Sequence, residues 1–270
     1  MSAVNSERWL DMLESICTRV ASPHLDLLVD QTGCGEQLLE GIRQLEPAMS
    51  FQLLFEGMPE AGIAHQGPLL VRIDLAQRLH RFWLEGVIDA FPRESRLLAL
   101  VSTWPFQQLA EYLRQCLEAA NGGVVGVLRF YDPRLFPLLL SHVLDLRQQQ
   151  QLLRPAQCWS WLDRDGRVGY RRGIGASAAS PDLFQPFELS DNQLHRLGCA
   201  SDTTLALRKI TGDLPPQWSE EQRFHACYAA MLEADEAGLL VQARRVAFVL
   251  ERIGGECPAP GHAGIQGVAR

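Results

Sequence analysis

The stretch Arg129-Phe-Tyr-Asp-Pro-Arg134 places two arginines, a tyrosine and an aspartate within six residues. Guanidinium and carboxylate groups this close form charge-assisted pairs, which either pin a chain reversal or present arginine to a protein partner. With a strand over residues 124–131 and a helix opened by Asp132-Pro133, alternation puts Arg129 and Tyr131 on one face. Asp132, Asp74 and Glu56 are the carboxylates considered for Arg129. Trp159-Ser-Trp161 turns two indoles the same way on an expected edge hairpin, as core residues or as an exposed anchor of an interface. Gly33-Cys34-Gly35 follows a strand and opens a helix, and Glu56 lies 21 residues beyond Gly35. That context suits a dinucleotide site, but Leu38 stands where the third glycine belongs. A nucleotide-binding α/β enzyme using Gly33, Gly35 and Glu56 is therefore the alternative, and a plain strand-to-helix turn the main reading.

Other chemistry finds little support. His24, His65, His80, His142, His195, His225 and His262 include no pair at i, i+4, and the seven cysteines include no C-x-x-C. Neither a phosphate loop of the Walker type nor a G-x-S-x-G elbow occurs. No metal and no cofactor are expected.

The elements that must position these residues follow from hydrophobic period. Short apolar runs predict strands at 25–30, 51–55, 69–73, 97–101, 124–131, 158–162 and 168–172. Apolar residues at three- and four-residue spacing predict helices between them, beginning with Trp9, Leu13, Ile16 and Val20. Alternating strands and helices predict an α/β lobe over residues 1–172, its sheet mostly parallel or mixed and flanked by helices. Asp165-Gly166 marks a hairpin turn. Residues 173–187 are small and read as a flexible linker, and 188–254 as a smaller all-helical lobe. Ser190-x-x-Gln193 and Ser219-x-x-Gln222 are capping boxes that start two of its helices. Residues 255–270 are rich in Gly, Pro and Ala and predict a disordered tail.

Of the 270 residues, 47% are hydrophobic, enough for a buried core, and the net charge is −7, which disfavours nucleic acid as the partner. The N-terminus lacks a basic-then-apolar leader and no run of about 18 apolar residues is present, so a cytoplasmic protein that does not insert in a membrane is expected.

Phe55-Glu-Gly-Met-Pro-Glu60, Leu69 to Asp74, Arg129 to Arg134 and Trp161-Leu-Asp-Arg-Asp-Gly166 occur in this order over roughly residues 25–170. The set resembles the effector adaptor (chaperone) family of bacterial type VI secretion systems, the Tap/VasW-like adaptors. The resemblance implies a non-enzymatic protein that holds one cognate toxin by a helical or N-terminal segment and helps place it on a VgrG spike, often with a PAAR tip. It brings no catalytic residues. Glu56, Asp74, Arg129, Tyr131, Asp132 and Arg134 match its motif positions; the resemblance leaves open which of them touch cargo and which hold the lobe together.

Overall fold

The computed structural model describes residues 3–34, 37–91, 95–179 and 184–255. Gly35 and the expected tail from residue 256 onward lie outside the described residues. The chain divides into two compact units, Met1–Leu194 and His195–Arg270.

The first unit opens with α1 (Ala3–Arg19), β1 (His24–Asp30), α2 (Gln37–Arg43) and β2 (Ser50–Leu53), followed by a 3-10 helix at Pro59–Gln66. It continues through β3 (Pro68–Asp74), α3 (Arg78–Ala90), β4 (Leu97–Val101), α4 (Phe106–Gln115) and the hairpin β5 (Glu118–Asn121) and β6 (Val124–Val127). A short α5 (Phe136–Leu138) runs into a π-turn at Leu139–Val143, and α6 (Leu146–Leu153), β7 (Cys158–Leu162), β8 (Val168–Arg172) and β9 (Phe187–Glu188) complete the unit. The main sheet has the order β2-β3-β1-β4-β7-β8.

This sheet is antiparallel at every neighbouring pair, which corrects the expectation of a mostly parallel one. The helices α2 and α3 do link strands of the same direction, β1 to β2 and β3 to β4. Each crossover, however, skips one position, so β3 lies between β1 and β2 and β1 lies between β3 and β4. The result is a split β-α-β arrangement extended by the β7–β8 hairpin. Periodicity reports that helices alternate with strands and that strands are buried on both faces; it does not report which strands become neighbours. The parallel β-α-β unit that a dinucleotide site needs is absent from this sheet.

The apolar runs are explained by two covered faces. Leu25, Leu27, Val29, Leu69, Val71, Ile73, Leu97, Ala99 and Val101 meet Trp9, Leu13 and Ile16 of α1, Leu39 and Ile42 of α2, and Leu84, Val87 and Ile88 of α3. On this face the Trp9 indole N–H donates to Ser160 Oγ at 2.8 Å, and Ser160 Oγ donates to Gly169 O at 2.8 Å, tying α1 to β7 and β8. The opposite face carries Asp26, Leu28, Asp30, Leu70, Arg72, Leu98, Leu100, Trp159 and Trp161, since side chains alternate along each strand.

The expected strand over 124–131 ends at Val127, because it is one arm of the β5–β6 hairpin and residues 128–135 form turns. Asp132-Pro133 accordingly sits in a turn, and the helix begins at Phe136 and is irregular around Pro137. Both strands of the hairpin around Asp165-Gly166 are found where expected, with Gly166 at φ 73°.

The stretch expected as a linker is held to the first unit where it leaves β8. The N–H groups of Gly173, Ile174, Gly175 and Ala176 bond to carbonyls of Gln157, Leu153, Ala156 and Arg154, and the Trp104 indole N–H donates to Ala176 O at 2.6 Å. A Cβ on Gly173 would lie 1.9 Å from Ala156 O, so glycine is required there by close backbone approach. Further on, β9 pairs with β5 at Ala119↔Phe187 and Ala120↔Glu188, in parallel.

The second unit is helical: the remainder of α7 (Asp191–Ile210), then α8 (Glu220–Glu236) and α9 (Gln242–Gly255). Both capping boxes form, the first at the start of α7 and the second at the start of α8. Arg245 of α9 is 10% exposed and reaches Asp202 at 2.8 Å, with Asp235 at 3.8 Å and Cys199 Sγ at 3.0 Å. No helix among the described residues is long and apolar enough to cross a membrane.

Two predictions follow from this packing. Replacing Arg245 by Ala removes the buried partner of Asp202 and Asp235, both still 30% exposed, and urea denaturation should show a loss of about 2 kcal/mol. Burial pushes the thiols of Cys17 up to about 12 and of Cys158 and Cys227 up to about 11. Differential alkylation read by mass spectrometry at pH 8 should leave these three unmodified in the folded protein and label them after denaturation, because the thiolate is the nucleophile.

Candidate functional site

β1 carries Asp26 and Asp30 among Leu25, Leu27, Leu28 and Val29, four residues apart and therefore on the same face. Both carboxylates are buried. Buried charge must be paired or it neutralises, so these two acids govern what gathers around them.

Asp26 faces its register partner Arg72 on β3 and accepts from Nε at 2.7 Å and from Nη2 at 2.8 Å. The Arg72 guanidinium also lies over the Phe106 ring of α4, 5.4 Å from its centroid. Burial pushes the Asp26 carboxyl up, and the two bonds from Arg72 offset part of that shift.

Asp30 ends β1 and is the centre of a second cluster. One oxygen, Oδ1, accepts from Thr32 N at 3.1 Å and Thr32 Oγ1 at 2.7 Å, while Oδ2 accepts from Arg129 Nη2 at 2.9 Å. Arg96 Nη1 donates to the Asp30 carbonyl at 3.2 Å and to Thr32 O. Asp132 is likewise buried. It accepts from Arg134 N at 2.9 Å and takes the Arg134 guanidinium in bidentate fashion, Nε at 2.9 Å and Nη2 at 2.7 Å. Arg129 stands 3.9 Å from the same carboxylate. Both arginine side chains remain 43% exposed. The arrangement is two arginines presented at the surface and held from below by two buried aspartates.

Aromatic rings support it. Tyr131 meets Phe55 edge-on at 6.5 Å between centroids and lies under the Arg129 guanidinium at 5.6 Å. Burial raises the Tyr131 hydroxyl to about 12, with Arg129 pulling in the other direction, so it stays protonated at neutral pH. Phe55 in turn covers Gly67, where a Cβ would meet the ring at 2.3 Å. Beneath, Phe136 packs on Trp159 at 5.1 Å and Trp161 at 5.5 Å, and Phe130 on Trp159 at 6.4 Å.

The residues singled out from sequence therefore separate. Arg129, Tyr131, Asp132 and Arg134 come together. Arg129 takes Asp30 as its close partner, not Asp74 or Glu56, and meets Asp132 only at longer range. Asp74 lies at the other end of the sheet, opposite His24, where it accepts from Ala76 N at 2.9 Å. Glu56 is exposed and accepts from Gln52 Nε2 at 2.5 Å. Trp159 and Trp161 are buried on β7, the inner strand of the hairpin that forms the sheet edge, so they are core residues and not an exposed anchor. The expectation missed Asp30, Thr32, Arg96 and the Asp26–Arg72 pair. Acids inside an apolar strand, and Arg72 inside another, were the available signal.

Three of the four motif stretches converge at the end of the sheet where β1, β2 and β7 finish. Phe55–Glu60 follows β2, Arg129–Arg134 supplies the arginines, and the 161–166 stretch contributes Arg164, whose Nη2 donates to Arg134 O at 3.4 Å. Among the described residues, no group of three or more His, Cys, Asp or Glu side chains could hold a metal ion.

Residues 27–151 match a family model described as Domain of unknown function (DUF4123). The matched stretch runs from within β1 into α6, takes in Asp30, Phe55–Glu60 and Arg129–Arg134, and is less than half of the chain. No curated protein and no solved structure matches.

The exposure of Arg129 sets the expected size of its effect. Water can replace part of a guanidinium that is 43% exposed, so Arg129→Ala should cost about 1 kcal/mol in chemical denaturation. Asp132→Ala removes three bonds at a buried carboxylate and should cost about 2 kcal/mol. The reverse order would mean that the pairing of Asp30 with Arg129 outweighs the three bonds at Asp132.

Proposed function

We propose that this protein is a non-enzymatic cytoplasmic adaptor that binds a cognate type VI secretion toxin and helps load it onto the VgrG/PAAR spike. The observation that carries the reading is the convergence at one end of the sheet. Three of the four motif stretches that resemble the effector adaptors gather around Asp30 and Asp132, and they leave Arg129 and Arg134 anchored but exposed. Arginine held in advance by a buried carboxylate loses little side-chain freedom on binding, which favours protein contact. The DUF4123 match over the motif-bearing stretch supports the same assignment. The antiparallel neighbours of β1 on both sides favour the adaptor over the rival nucleotide-binding reading, which calls for a parallel β-α-β unit.

The test is co-expression of the full chain with candidate toxins encoded by neighbouring genes, with the tag on this chain. The toxin should co-purify. An Arg129→Gln/Arg134→Gln variant with an unchanged circular dichroism spectrum should recover about tenfold less of it, as expected when contacts of charged groups are lost. Absence of any toxin from the purified wild type, or stabilisation by micromolar nucleotide in a thermal shift, would overturn the proposal.

A further inference from the structure

β8 is the outer strand of the six-stranded sheet and has β7 as its neighbour on one side only. The register fixes which of its backbone groups are free. Asp163 N bonds to Arg167 O at one end of the ladder, and Gly173 N to Gln157 O at the other. Antiparallel pairs alternate, so Gly169 and Arg171 also point their N–H and C=O toward β7. Val168, Tyr170 and Arg172 then aim theirs outward, where no other strand among the described residues pairs with them.

The side chains on this edge are cationic. Tyr170 is 68% exposed, and Arg171 and Arg172 beside it are exposed. Neither arginine has an ion-pair partner among the described residues. By contrast, Arg167 at the start of the strand lies 3.6 Å from Asp165. Adjacent strand residues project to opposite faces, so Arg171 and Arg172 place one unpaired positive charge on each side of the edge. In a chain of net charge −7, such a strand is a local reversal of sign. It disfavours edge pairing with a second copy of itself, because arginines of both copies would crowd one ribbon.

We infer that the outer edge of β8 accepts an extended acidic segment of a partner protein, added as a seventh strand. Backbone bonds to Val168, Tyr170 and Arg172 would supply pairing, and neighbouring Asp or Glu residues, one toward each face, would meet Arg171 and Arg172. The inference deepens the adaptor reading and rests on it for the identity of the partner as cargo. The pinning of Gly173 to Ala176 on the carbonyls of 153–157 fixes the end of the strand, so the edge is presented without ordering cost.

The probe is a displayed library of random ten-residue peptides selected on the full-length protein, followed by synthetic copies of the recovered peptides. Recovered peptides should carry adjacent acidic residues flanked by β-branched ones. Their affinity, read by fluorescence anisotropy, should fall about tenfold in Arg171→Glu/Arg172→Glu, an exposed change that leaves the fold intact. Tyr170→Pro, which removes one outward N–H on an edge that tolerates proline, should weaken them similarly. Arg129→Gln/Arg134→Gln should not. No enrichment, non-acidic peptides, or equal binding to both β8 variants overturns the inference. If the toxin co-purifies undiminished with Arg171→Glu/Arg172→Glu, this edge is not the grip and the adaptor reading stands. If acidic peptides bind the edge while no toxin co-purifies, the edge stands and the adaptor reading fails.

Discussion

The first unit is organised by the need to neutralise two carboxylates inside a strand that is covered on both faces. Asp26 and Asp30 have no access to bulk water, and an isolated buried charge is too costly to persist. The Asp26–Arg72 pair answers this at the centre of the sheet. Because the two residues are directly opposed, a one-residue slip between β1 and β3 would turn Arg72 to the other face and strand the acid. The pair thus specifies register more than it adds net stability, since desolvation consumes much of the attraction.

At Asp30 the same need is met differently, and that difference leaves a paired guanidinium at the surface at this end of the sheet. Its counter-charge comes from a turn remote in sequence, and only one side of that charge is enclosed. Asp132 repeats the pattern with Arg134. Tyr131, Phe55 and Gly67 fill the space beneath, so the turn cannot shift without displacing a ring. An arginine held this way is both a structural tie and a surface group.

The second unit follows simpler rules. Its helix α8 starts at a capping box, and its three helices are joined internally by Arg245, which gathers Asp202, Asp235, Cys199 and the Met231 carbonyl. This buried guanidinium with its several acceptors adds to an apolar core that includes Ile210, Phe224, Tyr228, Met231 and Val249.

Much was legible in the sequence because it depends on local chemistry. The apolar runs at 69–73, 97–101 and 158–162 are strands, the turn at Asp165-Gly166 is a hairpin, and the boxes at Ser190 and Ser219 begin helices. The cluster of Arg129, Tyr131, Asp132 and Arg134 was visible as a set because its members are contiguous. What tertiary structure alone decided was adjacency. Strand order made the sheet antiparallel, placed Asp74 at the far end from Arg129, and enclosed Trp159 and Trp161 under β8 and the aromatic rings. It also brought Asp30 to Arg129 across 99 positions. The physical reason is that hydrophobic period encodes how deeply a residue is buried. Which partner meets a buried charge is set by where separate strands come to lie.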